Sequence, residues 1–471
     1  MLFSSLEFLF LFLPIVLAGY FLLPFRWGLR NYWLLAASLA FYAWGEPTFV
    51  LVMLLSIAFN YAMALAVSAV RPKGRPALAL LWVAIIGNLS VIGLWKYANF
   101  ITATLRDWIP AFQGAVPQTS FVLPIGISFF TFQALSYVVD VYRGEVKAQR
   151  NPFYVALYIA LFPQLIAGPI VRYSTVCRQI ENRRTTVDLF FSGMLRFFVG
   201  FNKKILLANA FAVVADEFFG AKTLSVCGAW LGALAYTLQI YFDFSGYSDM
   251  AIGLGRMFGF EFLENFNYPY VSRSVTEFWR RWHMSLGSWF RDYVYFPLGG
   301  SRVGRVRLVF NLAVVWTLTG VWHGANWTFI LWGALYGVLI MAEKLTDFPQ
   351  RLDRHPRLGW CGWFPTMFFV VLGWVLFRAA DLSAAGTYLG AMFGLGGGGF
   401  CDYAAVFQFL ELKVLLPIGL IASLPLLPWL GRRIGSIWSG ALWLAVQAVL
   451  FLAGVSCLVM NAHNPFIYFN F

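Results

Sequence analysis

Only four of the 471 residues are histidines: His283, His323, His355 and His463. Two of them stand where water is expected. His355 lies among Arg351, Arg354 and Arg357, and His463 belongs to the last few residues. His323 is different, because it interrupts the apolar stretch Val321-Trp322-His323-Gly324-Ala325-Asn326-Trp327. An ionisable side chain is costly in such a place and by default marks a functional site. Burial favours neutral imidazole, which accepts a proton at about pH 7, so His323 has the chemistry of a general base. The plain alternative is a packing histidine held by hydrogen bonds.

His283 ends the run Glu277-Phe278-Trp279-Arg280-Arg281-Trp282-His283. At helical spacing Phe278, Trp282, Leu286 and Trp289 make one apolar stripe, with Glu277, Arg280, Arg281, Met284 and Ser288 opposite and His283 on the border. One reading is an interfacial amphipathic helix whose arginines snorkel. The functional reading is that Arg280 and Arg281 bind an anionic donor, since guanidinium grips phosphate through two hydrogen bonds. Lys203 and Lys204 stand inside the run from 189 to 214, apolar apart from Arg196 and a few small polar residues, and at least one of them is expected to line a cavity or reach a phosphate. Asp243 and Asp249 read as partners of cationic residues or of helix ends.

Several chemistries lack their residues. There is no G-x-S-x-G elbow and no Walker A loop. Gly253-Leu254-Gly255-Arg256-Met257-Phe258-Gly259 has the wrong spacing for a dinucleotide loop, and close helix packing explains it better. Cys177, Cys227, Cys361, Cys401 and Cys457 are scattered, so they read as small apolar fillers with neither a disulfide framework nor a metal site expected.

The elements that must position these residues follow from composition. The chain is 60% hydrophobic and 12% charged, against about 25% charged in an average soluble domain. Apolar runs such as 8–23, 78–94 and 441–460 have the length of membrane spans, about 20 residues each. The net charge of +13 is distributed between apolar runs instead of forming one basic face, which argues for cytoplasmic loops and against nucleic-acid binding. The segment from Met1 to Phe25 lacks a basic start and carries Glu7, so it reads as a first span and not as a cleaved signal peptide.

With basic clusters on the cytoplasmic side, the N-terminus is expected outside, and an outer loop is expected around Lys96, Arg106 and Asp107. The runs 189–214 and 228–242 form a pair joined outside through Asp216 and Glu217, and a span near 363–377 leads from the basic loop 344–357 to a glycine-rich loop at Gly396–Gly399. Two stretches, 153–171 and 274–299, are basic at both ends. Pro163 and Gly168-Pro169 break the first, and the second is too polar to face lipid, so both read as re-entrant elements buried among helices. The expectation is an all-α, polytopic membrane protein of about 11–12 spans, one domain over residues 1–471. No inverted internal repeat is visible.

Seven stretches together resemble a known family: Leu123-Pro124-Ile125-Gly126-Ile127-Ser128-Phe129-Phe130, Asp140-Val141-Tyr142-Arg143-Gly144, Gly168-Pro169, Tyr241 to Asp249, Phe278 to His283, Trp322-His323-Gly324 and Asn464-Pro465-Phe466. They resemble the membrane-bound O-acyltransferases, and more closely the bacterial branch that includes the alginate O-acetylation membrane protein. The resemblance runs from the first span to the last residue. It implies a ring of tilted helices around a central funnel, an essential catalytic histidine at His323 and a second functional histidine at His283. It also implies an acyl thioester donor on the cytoplasmic side, acetyl-CoA for this branch, with no bound cofactor and no metal. The acetyl group would cross the bacterial inner membrane to a periplasmic partner of the SGNH hydrolase type that acetylates an exopolysaccharide.

Three alternatives keep a place. One is transfer of D-alanine to teichoic acid from an acyl carrier protein. Another is a solute transporter with His323 and Asp243 as a proton relay, and the last is a non-catalytic platform that assembles periplasmic partners.

Overall fold

The computed structural model of the chain describes residues 1–24, 28–354, 359–426, 437–460, 464 and 467. His355, His463, Arg26, Arg357, Arg432 and Arg433 lie outside the described residues, as do Pro465 and Phe466. Among those described, the secondary structure is helical apart from an isolated bridge between Leu224 and Gly397. The chain gathers into two compact units, residues 1–197 with 248–263, and residues 198–247 with 264–471. Two of the three divisions fall inside continuous helices and the third in the loop after residue 257, so neither unit is a simple run of sequence.

The first unit is built from α1 (Phe8–Leu22), α2 (Leu29–Gly45), α3 (Phe49–Val70), α4 (Arg75–Trp108), α5 (Ile127–Arg143), α6 (Pro152–Ala160), α7 (Tyr173–Asn182) and the beginning of α8 (Val187–Phe219), with the end of α9 (Val226–Met257). Apolar α3 and α4 are joined by reciprocal amide hydrogen bonds between buried Asn60 and Asn88, at 3.0 and 2.8 Å. Away from water these amides must satisfy one another. The outer loop expected at Lys96 is absent, and α4 runs on through a wide π turn at Gly93–Tyr97 to Trp108. Nothing before Pro110 breaks the helix, and buried Lys96 donates to the Ser128 hydroxyl at 3.4 Å.

The stretch 153–171 behaves as its prolines require. Asn151 caps α6, which ends at Ala160 ahead of Pro163, and residues 155–171 are buried throughout. The glycines of the 253–259 run serve close packing. A Cβ on Gly253 would lie 2.6 Å from the Gly193 carbonyl oxygen, and Arg196 pairs with Asp249 at 2.6 Å beside this contact between α8 and α9.

The second unit takes the rest of α8 and α9, then α10 (Val275–Arg281), α11 (Met284–Phe290), α12 (Arg305–His323), α13 (Trp327–Thr346), α14 (Gly359–Arg378), α15 (Leu382–Met392), α16 (Tyr403–Glu411), α17 (Leu415–Ala422) and α18 (Ile437–Met460). A tight hairpin of α12 and α13 dominates it. Gly320 and Gly333 let the two backbones touch, since Cβ atoms there would lie 2.5 Å from the Phe329 carbonyl oxygen and 2.6 Å from that of Trp316. The hairpin turns at Gly324-Ala325-Asn326, where the Asn326 side chain accepts from the Thr328 amide and caps α13.

Among the described residues seven helices are long and apolar enough to cross a membrane: α3, α4, α8, α12, α13, α14 and α18. The α16–α17 pair, bent by 63°, makes an eighth if it counts as one span. Counted by length and composition among the described residues, these are fewer than the expected number of about 11–12 spans. Helices α1, α2 and α5 fall short of 18 residues, and α9 dilutes its apolar residues with Gln239, Asp243, Ser245, Ser248, Asp249 and Arg256.

Candidate active site

His323 is the last residue of α12 and His283 lies between α10 and α11, forty residues earlier. Both line one cavity of about 640 Å³ in the second unit, together with Trp279, Trp316, Thr319 and Arg280. The sequence at Asn311, Trp316, Thr319 and Gly320 buries this face of α12, and the turn after Gly324 fixes where His323 stops. Its ring meets Trp332 at 4.9 Å, Trp322 at 5.0 Å and Phe377 at 5.3 Å, each nearly perpendicular. The Trp322 ring also lies 5.9 Å from that of His283, so one indole touches both histidines.

The continuous amphipathic helix expected across 277–289 does not form. Trp282 is extended and His283 adopts a left-handed conformation, φ 46° and ψ 52°, which breaks the chain into α10 and α11. Such a backbone costs a non-glycine residue about 1 kcal/mol or more, so the surroundings must impose it. Asn265 does so. Its carbonyl oxygen accepts the Met284 amide at 3.0 Å, and its side-chain Oδ1 takes hydrogen bonds from the Ser285 amide and hydroxyl and lies 3.1 Å from His283 Nδ1. The apolar stripe survives the break, because Phe278, Trp282, Leu286 and Trp289 remain buried.

This geometry fixes the imidazole. A peptide N–H can only donate, so the Asn265 atom facing the Ser285 amide is its oxygen, and His283 Nδ1 must carry the proton. Burial pushes the ring down to about 3, which keeps it neutral at ordinary pH. His283 Nε2 therefore holds a lone pair, and among the described residues it has no hydrogen-bond partner. As a neutral ring it accepts a hydrogen bond and does not donate one to an oxyanion.

A second cavity, of about 700 Å³, shares Thr276, Arg280 and Lys344 with the first. It is rich in cations: Arg273, Arg280, Arg281 and Lys344, against Glu277 and Glu343. Both acids are already engaged. Glu343 accepts the Val275 and Thr276 amides at 2.6 and 2.8 Å, closing the start of α10, and Glu277 pairs with Arg281 at 2.9 Å. Arg280 and Lys344 have no acidic partner among the described residues, so their charge is available to an anion.

Residues 130–382 match the family model for membrane-bound O-acyltransferases. The chain belongs to the membrane-bound O-acyltransferase family. Over the full length of both chains it is 42% identical to the probable alginate O-acetylase AlgI of Pseudomonas putida. It is 47% identical to that of Pseudomonas aeruginosa over 84% of this chain and 75% of the relative. The peptidoglycan O-acetyltransferase of Helicobacter pylori is 35% identical over 85% of this chain and 81% of its own. The protein is a multi-pass membrane O-acyltransferase.

Of the residues singled out in the sequence of this acyltransferase, the structure brings His283, His323 and Arg280 to one cavity and Arg281 to its neighbour. Lys203 and Lys204 line neither of these two cavities. The Lys204 ammonium lies 2.6 Å from Asp243 Oδ1, both side chains being buried, and Asp243 Oδ2 accepts the Ile467 amide at 2.9 Å. Lys203 reaches over the Tyr241 ring, 6.0 Å from its centre. A buried ammonium left without its carboxylate would carry its desolvation cost uncompensated. Sequence reasoning missed Asn265, whose only signal was an amide in a short aperiodic loop, and counted Lys344 simply among the loop cations.

Proposed function

We propose that the enzyme takes an acetyl group from acetyl-CoA on the cytoplasmic side of the bacterial inner membrane and delivers it outward, through a periplasmic partner of the SGNH hydrolase type, to an exopolysaccharide. The observation that carries this reading is the convergence of His283 and His323 on one cavity whose wall is shared with a second, cation-rich one. A thioester with a phosphate-bearing tail suits that pair of sites, its phosphates toward Arg280 and Arg281 and its acyl end toward the histidines.

In the transfer step the acceptor hydroxyl oxygen attacks the thioester carbonyl carbon, and His323 takes the hydroxyl proton as general base. The C–S bond then breaks and coenzyme A leaves as thiolate, a good leaving group that needs little acid assistance. His283, with its lone pair on Nε2, accepts a hydrogen bond and orients the acceptor. The alginate and peptidoglycan named for the relatives support a glycan as the final acceptor.

Membrane vesicles oriented with the cytoplasmic face outward and supplied with radiolabelled acetyl-CoA test this. Label is expected in the enclosed polymer with the natural enzyme and is expected to fall at least about 100-fold with His323→Ala at equal membrane abundance. Full transfer by His323→Ala would reject the base. Transfer from a charged carrier protein but none from acetyl-CoA would reject the donor.

A further inference from the structure

Cys227 and Cys401 are far apart in sequence, and their spacing carries no signal. The fold brings them together. Cys227 begins α9, and Cys401 ends the glycine-rich loop ahead of α16. The loop lies backbone against backbone on the residues before α9. Leu224 bridges Gly397, the Val226 amide donates to the Gly399 carbonyl at 3.1 Å, and the Cys227 amide donates to the Phe400 carbonyl at 2.9 Å. Only glycine allows this approach, since a Cβ on Gly398 would lie 2.5 Å from the Leu224 carbonyl. The Cys227 and Cys401 side chains are electrostatic neighbours. The Cys227 amide thus bonds the carbonyl of the residue immediately before Cys401, and a disulfide asks for a Cα separation of about 4.4–6.8 Å.

The charges place both loops on one side of the membrane, by two independent routes. Arg183 and Arg184 precede α8, so its far end and the loop to α9 lie outside. Lys344, Arg351 and Arg354 precede α14, so its far end also lies outside, and residues 379–402 carry Asp381 and Asp402 with no lysine or arginine. That side of a bacterial inner membrane is oxidising. Cys401 is exposed and Cys227 half-buried, so an oxidant can reach the pair.

We propose that Cys227 and Cys401 form a disulfide on the outer face, stapling the glycine-rich loop to the start of α9. The oxidant is a thiol–disulfide oxidoreductase of that compartment. The exposed Cys401 thiolate attacks its disulfide, releasing one carrier thiolate, and the Cys227 thiolate then attacks the mixed disulfide and releases the second. One S–S bond breaks and one forms, the two electrons end on the carrier dithiol, and the two protons pass to it. The orientation comes from the charge pattern and not from acyl transfer, so the test needs no activity.

Intact aerobic cells expressing the full chain are quenched in acid, and the protein is treated with a maleimide before and after reduction. Peptide mapping is expected to show Cys227 and Cys401 unmodified before reduction, modified after it, and recovered unreduced as one joined peptide pair lighter by two hydrogen atoms. In Cys227→Ser, Cys401 is expected to react without reduction. Equal reaction of both cysteines before and after reduction overturns the proposal. So does a Cys401 that stays unreactive in Cys227→Ser, because something other than Cys227 then shields it.

Discussion

Asn265 Oδ1 and His283 Nδ1 lie 3.1 Å apart, and this single amide oxygen decides which nitrogen of the imidazole carries the proton. Replacing it with a carboxylate leaves the shape and changes the charge. Asn265→Asp is expected to raise His283 from about 3, because a neighbouring anion favours the imidazolium. The rate should then gain a fall on the acid side of neutrality that the natural enzyme lacks, read as a pH profile of kcat. Asn265→Ala should lower kcat by about tenfold, short of the 100-fold or so expected for loss of a general base.

Stability should follow the same proton. The unfolded chain protonates His283 near its ordinary value of about 6.5, whereas the buried ring resists down to about 3. The folded state thus binds fewer protons in that window, so its stability is full above about pH 6.5 and declines as pH falls, by up to about 1.4 kcal/mol per unit. Thermal unfolding in detergent between pH 7.5 and 5 measures this slope, and His283→Gln should flatten it.

Lys204→Met strands the Asp243 carboxylate in the protein interior. The expected cost is about 3–5 kcal/mol, seen as a lower melting temperature or lost membrane abundance. The double variant Lys204→Met, Asp243→Asn should recover much of it, which separates a burial penalty from a loss of donor binding.

Gly320→Ala pushes a methyl group toward the Phe329 carbonyl oxygen, 2.5 Å away, and should splay α12 from α13. Overpacking of this kind costs about 1–3 kcal/mol. Because His323 ends α12, activity per molecule in the membrane should fall as well. Gly386→Ala in α15 meets nothing within 4 Å and should be neutral or slightly stabilising in the same assays.

Arg280, with no acidic partner among the described residues, should matter to the donor more than Arg281, which is already paired with Glu277. Arg280→Ala is expected to raise KM for acetyl-CoA about tenfold with little change in kcat, as loss of a charged hydrogen bond of about 1.5 kcal/mol implies. Initial rates across donor concentration separate the two constants.

Much of this was legible in the residues themselves. Scarce charge specified the solvent, Pro163 marked a broken buried segment, and a lone imidazole beside Gly324 pointed to the cavity that His323 lines. What stayed hidden were pairings over long separations. Nothing near Lys204 announces Asp243 thirty-nine residues on, and no periodicity shows Asn265 reaching back to break a helix at His283. Lys96 misled because a charge was read as a loop, while the helix had room to bury it against Ser128.

The two oxygens of Asp243 are divided between Lys204 and the amide of Ile467, a residue 224 positions further along. The ribosome delivers that amide long after it has made α9. Until Ile467 has been made, α9 therefore has one carboxylate oxygen unanswered. A protein cut short by a few residues would carry both histidines and every cation of the two cavities, yet it would present surveillance proteases with a flaw at its centre. Reporter domains fused beyond residue 471 leave this clasp intact, so full-length fusions should accumulate where short truncations do not.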